Sequence, residues 1–177
     1  LRLALHAAQA VSDDALYLVA SDHSTPPDGQ PHEVIFKTPY RGLHWIETPY
    51  PTGDCPRITI KDPHAACTLQ TGVFLPVQGT VWSLYFYVPK GTKTVGGYAE
   101  DRSGRLLDGA GTEVFSFASL PRPGHFNVRV PPGQDGQLWK FDGCKADRRL
   151  LTVPPYLAAT AEQLLLPKEV VTKDAAK

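Results

Sequence analysis

Alternating hydrophobic and polar positions dominate the second half of the chain, and the clearest run spans residues 81–88. Its two faces carry Trp82, Leu84, Phe86 and Val88 on one side and Ser83, Tyr85 and Tyr87 on the other. This period of two residues is that of a β-strand. Because both faces carry large side chains, the pattern predicts a strand in the middle of a sheet, ended by Pro89.

Further short strands are predicted at similar spacing, each followed by a turn signal rich in Gly, Pro or Asp. They span residues 94–100, 105–107, 113–118, 125–130, 138–141 and 150–153. Such a series favours an all-β fold, a jelly-roll-like sandwich of two antiparallel sheets with a short C-terminal helix. The alternation places six residues in its core: Trp82, Leu84, Phe86, Phe126, Val128 and Val130.

The N-terminal part has a weaker pattern. Residues 1–7 and 15–20 alternate as strands do, although a helix across Leu1–Val11 is the competing interpretation because Ala and Leu favour helices. Two more short strands are predicted, at Glu33–Lys37 and Arg57–Lys61. Residues 21–30 and 38–56 are predicted to be irregular, because they are rich in Pro, Gly and polar residues.

One helix is predicted near the C-terminus, capped by Thr160 and running over Ala161–Leu166 until Pro167 interrupts it. Residues 168–177 form at most a further turn. We therefore predict a β-sandwich domain at residues 1–157, with a helix and tail at 158–177 that pack on it or extend from it.

Composition narrows the choice of partners. The 177 residues suit one domain, and 18 basic side chains balance 18 acidic ones. A net charge of zero argues against binding nucleic acid or an anionic membrane surface, and no stretch has the 18 apolar residues of a membrane span. The chain begins at Leu and contains no Met, so we interpret it as a processed piece of a longer product.

The sequence carries none of the motifs of a nucleophile elbow, a zinc protease, a phosphate-binding loop or a dinucleotide fold, and we predict no catalytic residue. Six histidines are scattered without metal-ligand spacing. One possibility is a disulfide between Cys55 and Cys67. The alternative is that all three cysteines are buried free thiols. Cys144 precedes Lys145, which favours a thiolate, but a structural thiol at a strand end is preferred over a nucleophile paired with His125.

No transition-metal site is predicted, and calcium is the one cofactor that the sequence leaves open. Carboxylates at turns are hard oxygen ligands that calcium prefers. Four aspartates occupy such positions: Asp101, Asp108, Asp135 and Asp142. The competing interpretation is that they accept hydrogen bonds from nearby backbone N–H groups.

The segment 38–54 is the candidate binding site, predicted as a proline-braced loop. Flat aromatic side chains stack on the C–H faces of sugar rings, and neighbouring polar groups bind hydroxyls. The predicted carbohydrate-binding residues are Trp45, Tyr40, Tyr50, Arg41, His44 and Glu47. Alternatively, the aromatic side chains fold inward and close one end of the sandwich. A second aromatic set, Tyr85, Tyr87 and Tyr98, is a sugar-binding surface if exposed and core if covered.

Several fragments of residues 80–157 resemble carbohydrate-binding-module-type jelly rolls, the accessory β-sandwiches of large secreted polysaccharide-processing proteins of environmental bacteria. The resemblance rests on Leu84–Lys93, Gly104–Gly109, Pro131–Gly136 and Leu138–Phe141. These fragments are strands and turns, so no ligand residue carries over. The resemblance implies a secreted, non-catalytic module whose partner is a glycan or a neighbouring domain of the same parent chain.

Three functions follow in order of preference. The first is a carbohydrate-binding or substrate-positioning module. The second is a structural domain that packs against a catalytic neighbour and exposes an apolar patch, for example near Leu164–Leu166. The third is a small β-sandwich enzyme, such as a lyase or a cupin-like metalloprotein, which requires clustered polar groups on a concave sheet face.

Overall fold

The computed structural model describes residues 3–8, 16–26, 28–39, 44–47, 59–62, 65, 68–70 and 81–175. Contacts between Cα atoms divide the chain into two compact units, Leu1–Pro56 and Arg57–Lys177, called here the N-terminal and C-terminal units. Each unit is described by itself. The domain boundary at residue 157 stays a prediction.

The N-terminal unit contains a three-stranded antiparallel sheet. Its strands are β1 (Leu3–Ala8), β2 (Leu16–Asp22) and β3 (His44–Glu47), in the order β2-β1-β3. The prediction of a strand near the N-terminus is therefore confirmed, and the competing helix is not formed at Leu3–Ala8. The predicted strand Glu33–Lys37 is wrong: these residues form no strand, and the side chain of Ile35 is 76% exposed. The residues alternate as in a strand, but no strand of the described part of the chain pairs with them.

The described residues of the C-terminal unit form nine strands. These are β4 (Leu69–Gln70), β5 (Trp82–Val88), β6 (Thr94–Ala99), β7 (Arg105–Leu107), β8 (Glu113–Ser116), β9 (Gly124–Arg129), β10 (Gln137–Cys144), β11 (Arg148–Leu150) and β12 (Tyr156–Leu157). Of the predicted strand Arg57–Lys61, residues 59–61 form no strand, and residues 57 and 58 lie outside the described part.

Two antiparallel sheets make up most of this unit, so the predicted all-β, sandwich-like fold with a short C-terminal helix is confirmed. The first sheet has the order β5-β10-β7-β8, and the second has the order β11-β6-β9. A small third pairing joins β12 to β4. The jelly-roll path of the chain stays a prediction.

The core lies between the two sheets and combines aliphatic side chains with a cluster of aromatic rings. Phe86 stacks on Phe141 with ring centroids 4.9 Å apart, and Phe126 of the second sheet meets Phe141 at 6.4 Å. Of the six predicted core residues, Phe86, Phe126 and Val128 are buried. The remaining three are partly buried and pack against the same cluster: Trp82, Leu84 and Val130. Period-two alternation therefore identified the inward face correctly.

The C-terminal helix begins later than predicted. Residues 161–163 form only one 3-10 turn, and Thr160 makes no side-chain capping bond to it. Helix α1 spans Lys168–Ala175, and the Pro167 carbonyl accepts the N–H groups of Val170 and Val171 at 3.1 and 3.3 Å. Proline disrupts the interior of a helix but is tolerated in the first turn, because the N–H groups of that turn have no carbonyl partner within the helix. Pro167 therefore starts the helix that it was expected to interrupt.

Candidate functional site

The predicted binding segment is described only in part. Tyr40, Arg41 and Tyr50 lie outside the described residues. His44, Trp45 and Glu47 belong to β3, where Trp45 is opposite His6 and Glu47 is opposite Ala4 of β1. The prediction of an irregular loop is therefore wrong for residues 44–47, because backbone pairing with β1 overrides the surrounding prolines. The binding role of the six residues stays a prediction.

The side chain of His44 lies beside that of Thr38. Its Nε2 atom lies 3.0 Å from Oγ1 of Thr38, which places Thr38 beside the start of β3. The side chain of Ile46 is 37% exposed. The described part of this segment thus contains a partly buried imidazole and an exposed aliphatic side chain.

The three tyrosines of the second aromatic set are all partly buried, but they lie in different sheets. Tyr87 donates its hydroxyl to Oδ2 of Asp174 in α1 at 2.8 Å. The backbone of Tyr85 pairs with Ala158, and Nζ of Lys140 lies 5.7 Å from the centre of its ring. Both tyrosines are partly buried and have side-chain neighbours from the same unit. Tyr98 belongs to the second sheet and is partly exposed.

The accessible surface of the second sheet is called here the outer face and is defined by Tyr98, His125, Asn127, Arg129 and Arg149. These residues alternate with buried ones on β6, β9 and β11. Strand register places Tyr98 between His125 and Arg149. The outer face therefore collects one row of side chains that are far apart in the sequence.

An open hollow of about 480 Å³ lies at the Tyr98 end of the outer face. It is lined by Tyr98 and by the segment Leu120–His125. The rings of Tyr98 and His125 meet edge to face, with centroids 5.2 Å apart and planes at 76°. Pro121 and Pro123 restrict the backbone beside these rings, which lowers the entropy lost when a ligand orders the segment.

Arg149 is held in place beside Tyr98 by two carboxylates. Its Nε donates to Oδ2 of Asp147 at 3.0 Å, and its Nη2 lies 3.3 Å from Oε1 of Glu100. The hydrogen bond and charge of Asp147, followed by the charge of Glu100, raise the pKa of Arg149. The guanidinium is thus a fixed cation at the edge of the hollow.

Cys144 is a buried structural thiol. Its side chain is fully buried in the sandwich core, and burial raises its pKa to about 11. A thiolate is the nucleophilic form of cysteine, so this environment opposes reactivity at neutral pH. His125, its suggested partner, has an exposed side chain in contact with Tyr98 instead. Cys55 and Cys67 lie outside the described residues, and their pairing stays open.

The four turn aspartates have partners within the protein. Asp108 accepts the N–H groups of Ala110 and Thr112, and Asp135 accepts that of Gly91. The other two, Asp101 and Asp142, face the side chains of Arg148, Arg105 and Lys140. Among the described residues, no three His, Cys, Asp or Glu side chains are grouped to hold a metal ion. A calcium requirement stays a prediction.

Sequence reasoning missed the outer face although it identified β6 and β9. Outward positions could be recognised from the alternation, which makes Tyr98 and His125 members of the exposed sets of their strands. What the sequence lacks is the register between these strands, because they are paired across a connection of more than twenty residues. Without that register, two separate aromatic residues cannot be recognised as one surface.

Comparison with known proteins found no relative. No family model matches the chain, and no curated protein or solved structure gives a significant match. Within the described part of the chain, no helix is long and apolar enough to cross a membrane.

Proposed function

We propose that the protein is a non-catalytic carbohydrate-binding or substrate-positioning module of a larger secreted protein, and that the outer face of the second sheet binds the sugar. The observation that carries the proposal is the Tyr98–His125 ring pair at an open hollow, with Arg149 fixed alongside. Aromatic rings contact the C–H faces of a sugar, while the guanidinium and the exposed Asn127 amide bind its hydroxyls.

The shape of the hollow supports binding of an extended chain. It is lined by Tyr98 of β6 and by the segment Leu120–His125, and it is open to solvent. Small-molecule sites in enzymes are more often concave and largely enclosed. The burial of Cys144, the cysteine considered for catalysis, also supports a non-catalytic role.

The test compares the wild-type chain with Tyr98→Ala in a screen of polysaccharides by affinity electrophoresis. We expect weak binding, on the order of 1 mM to 1 μM, because one open face provides few contacts. Tyr98→Ala should weaken binding at least about tenfold, since truncating a central aromatic residue removes a large share of an interface's binding energy. Tyr98→Phe should retain most of the affinity because it keeps the ring.

Tyr85→Ala is the matched control, because it removes a partly buried tyrosine from the first sheet. It should leave affinity unchanged, and thermal melting of every variant should show a folded protein. If wild type binds no polysaccharide, or Tyr98→Ala binds as wild type does, the proposal is wrong.

A second candidate function is docking of a neighbouring domain of the parent chain. An open hollow of about 330 Å³ lies beside α1, lined by Tyr87, Lys90, Leu166, Val171, Asp174 and Ala175. Leu165 and Val171 are 42% and 53% exposed. This is the region in which the sequence predicted an apolar patch. Retention of no polysaccharide in the screen would make this candidate the better one.

A further inference from the structure

The outer face and the hollow at its Tyr98 end carry positive charge that is not paired within the protein. Arg122 and Arg129 are exposed, and neither forms a salt bridge to another described residue. Their side chains also form no hydrogen bond with another described residue. An exposed arginine with no internal partner is available to bind an external anion through its planar set of donors.

Negative charge near this face is already neutralised in part. Asp147 is 1% exposed and contacts Arg149. Glu100, 34% exposed, contacts the same guanidinium. Because one carboxylate is buried and both point to Arg149, they oppose an approaching anion less than free surface carboxylates would.

One of the two unpaired arginines precedes β9, and the other is at its end. Arg122 lines the hollow next to Tyr98, and Arg129 is the last residue of β9. Arg129 is opposite Thr94 of β6, two pairs along from the Gly96–Asn127 pair, which places it on the same face as Tyr98 and His125. Arg129 is four positions after His125, which is about 13 Å along a strand at about 3.3 Å per residue. A short oligosaccharide can therefore contact both the rings and the guanidinium of Arg129.

We infer that the outer face selects anionic glycans, whose sugars carry carboxylate or sulfate groups, over neutral ones. This inference rests on the proposed function and specifies its ligand class. The rings contact the sugar faces, while Arg122 and Arg129 bind the anionic groups. The chain as a whole has a net charge of zero. The preference therefore comes from this one face rather than from general attraction to polyanions.

The experiment measures affinity for a polyuronate, for the same polymer with its carboxylates methyl-esterified, and for a sulfated polysaccharide. We expect esterification to weaken binding about tenfold, because the ester keeps the sugar rings of the polymer and removes the charge of its carboxylates. Arg129→Gln and Arg122→Gln should each weaken polyuronate binding about three- to tenfold and reduce its dependence on salt. The sulfated polymer distinguishes a requirement for carboxylate from a requirement for charge alone.

Lys168→Gln is the matched control, because it removes one exposed charge from the start of α1. It should leave affinity unchanged. Equal binding of the acid and ester forms, or an equal loss in Lys168→Gln, would overturn the anionic preference while the proposed function stands. Binding of neither neutral nor anionic polymers would overturn both.

Discussion

Arg148 is a charged residue in the interior of the C-terminal unit. Its side chain is fully buried, donates to Oδ1 of Asp101 at 2.5 Å and to the carbonyl of Ser103 at 2.6 Å, and lies 4.5 Å from the ring centre of Phe117. A buried charge needs such partners. Alternation predicted apolar core residues such as Phe86, but an arginine in a polar run gives no sign that it points inward.

Cys144 provides a prediction at the scale of one residue. Because its pKa is raised to about 11 by burial, we expect an alkylating reagent at neutral pH to leave it unmodified in the folded protein. Denaturant should expose it and make it react at the rate of an ordinary cysteine. Peptide mass spectrometry after timed quenching follows Cys144 separately from Cys55 and Cys67.

The control is a free thiol peptide treated in parallel, which sets the rate of an accessible cysteine. Rapid modification of Cys144 in the native protein would show that the thiol is accessible. That result would contradict the structural assignment and revive the possibility of a nucleophile.

Helix α1 is attached to the first sheet by a buried carboxylate. Asp174 is 6% exposed, and its Oδ2 accepts the Tyr87 hydroxyl at 2.8 Å and the Lys90 backbone N–H at 3.0 Å. Nζ of Lys90 donates to the Asp174 carbonyl at 2.7 Å. These bonds join one end of α1 to the end of β5 and the turn after it.

This attachment predicts a pH dependence. Burial and the hydrogen bond to Asp174 raise the pKa of Tyr87 to about 12, above the ordinary value of about 10. The folded state therefore holds this proton more tightly than the unfolded state. The stability it contributes is present below about pH 10 and is lost as the pH rises from about 10 to about 12. Urea unfolding at increasing pH measures this loss.

Tyr87→Phe is the comparison, because it keeps the ring and removes the ionisable hydroxyl. Its unfolding free energy should fall less than that of wild type over the alkaline range. Parallel pH profiles for the two proteins would show that the Tyr87 hydroxyl does not contribute to the attachment of α1.

Elements with regular periodicity could be predicted, and elements that depend on distant pairing could not. The strands from β5 to β10 overlap the strands that alternation predicted. The strand predicted at residues 150–153 is wrong after Leu150, because β11 spans Arg148–Leu150 and residues 151–153 form a bend. Strand β3 has only four residues between proline-rich stretches and forms because β1 pairs with it. Helix α1 was misplaced because Pro167 can either end a helix or begin one.

At the scale of the whole molecule, frequent turn residues and short alternating runs were enough to predict an all-β fold with two antiparallel sheets. The candidate site could not be predicted in the same way. Tyr98, His125 and Arg149 become neighbours only through the pairing of β6 with β9 and β11. The sequence instead drew attention to local aromatic density around Trp45.

The most direct test is to titrate the isotopically labelled chain with a short oligosaccharide from the best-retained polysaccharide and to record amide chemical shifts. The account predicts that the largest changes cluster on the outer face, at Tyr98, Arg122 and His125–Arg129, with little change at His44–Glu47. Changes concentrated at His44–Glu47 would instead place binding at the segment around Trp45 and contradict the assignment of the site to the second sheet.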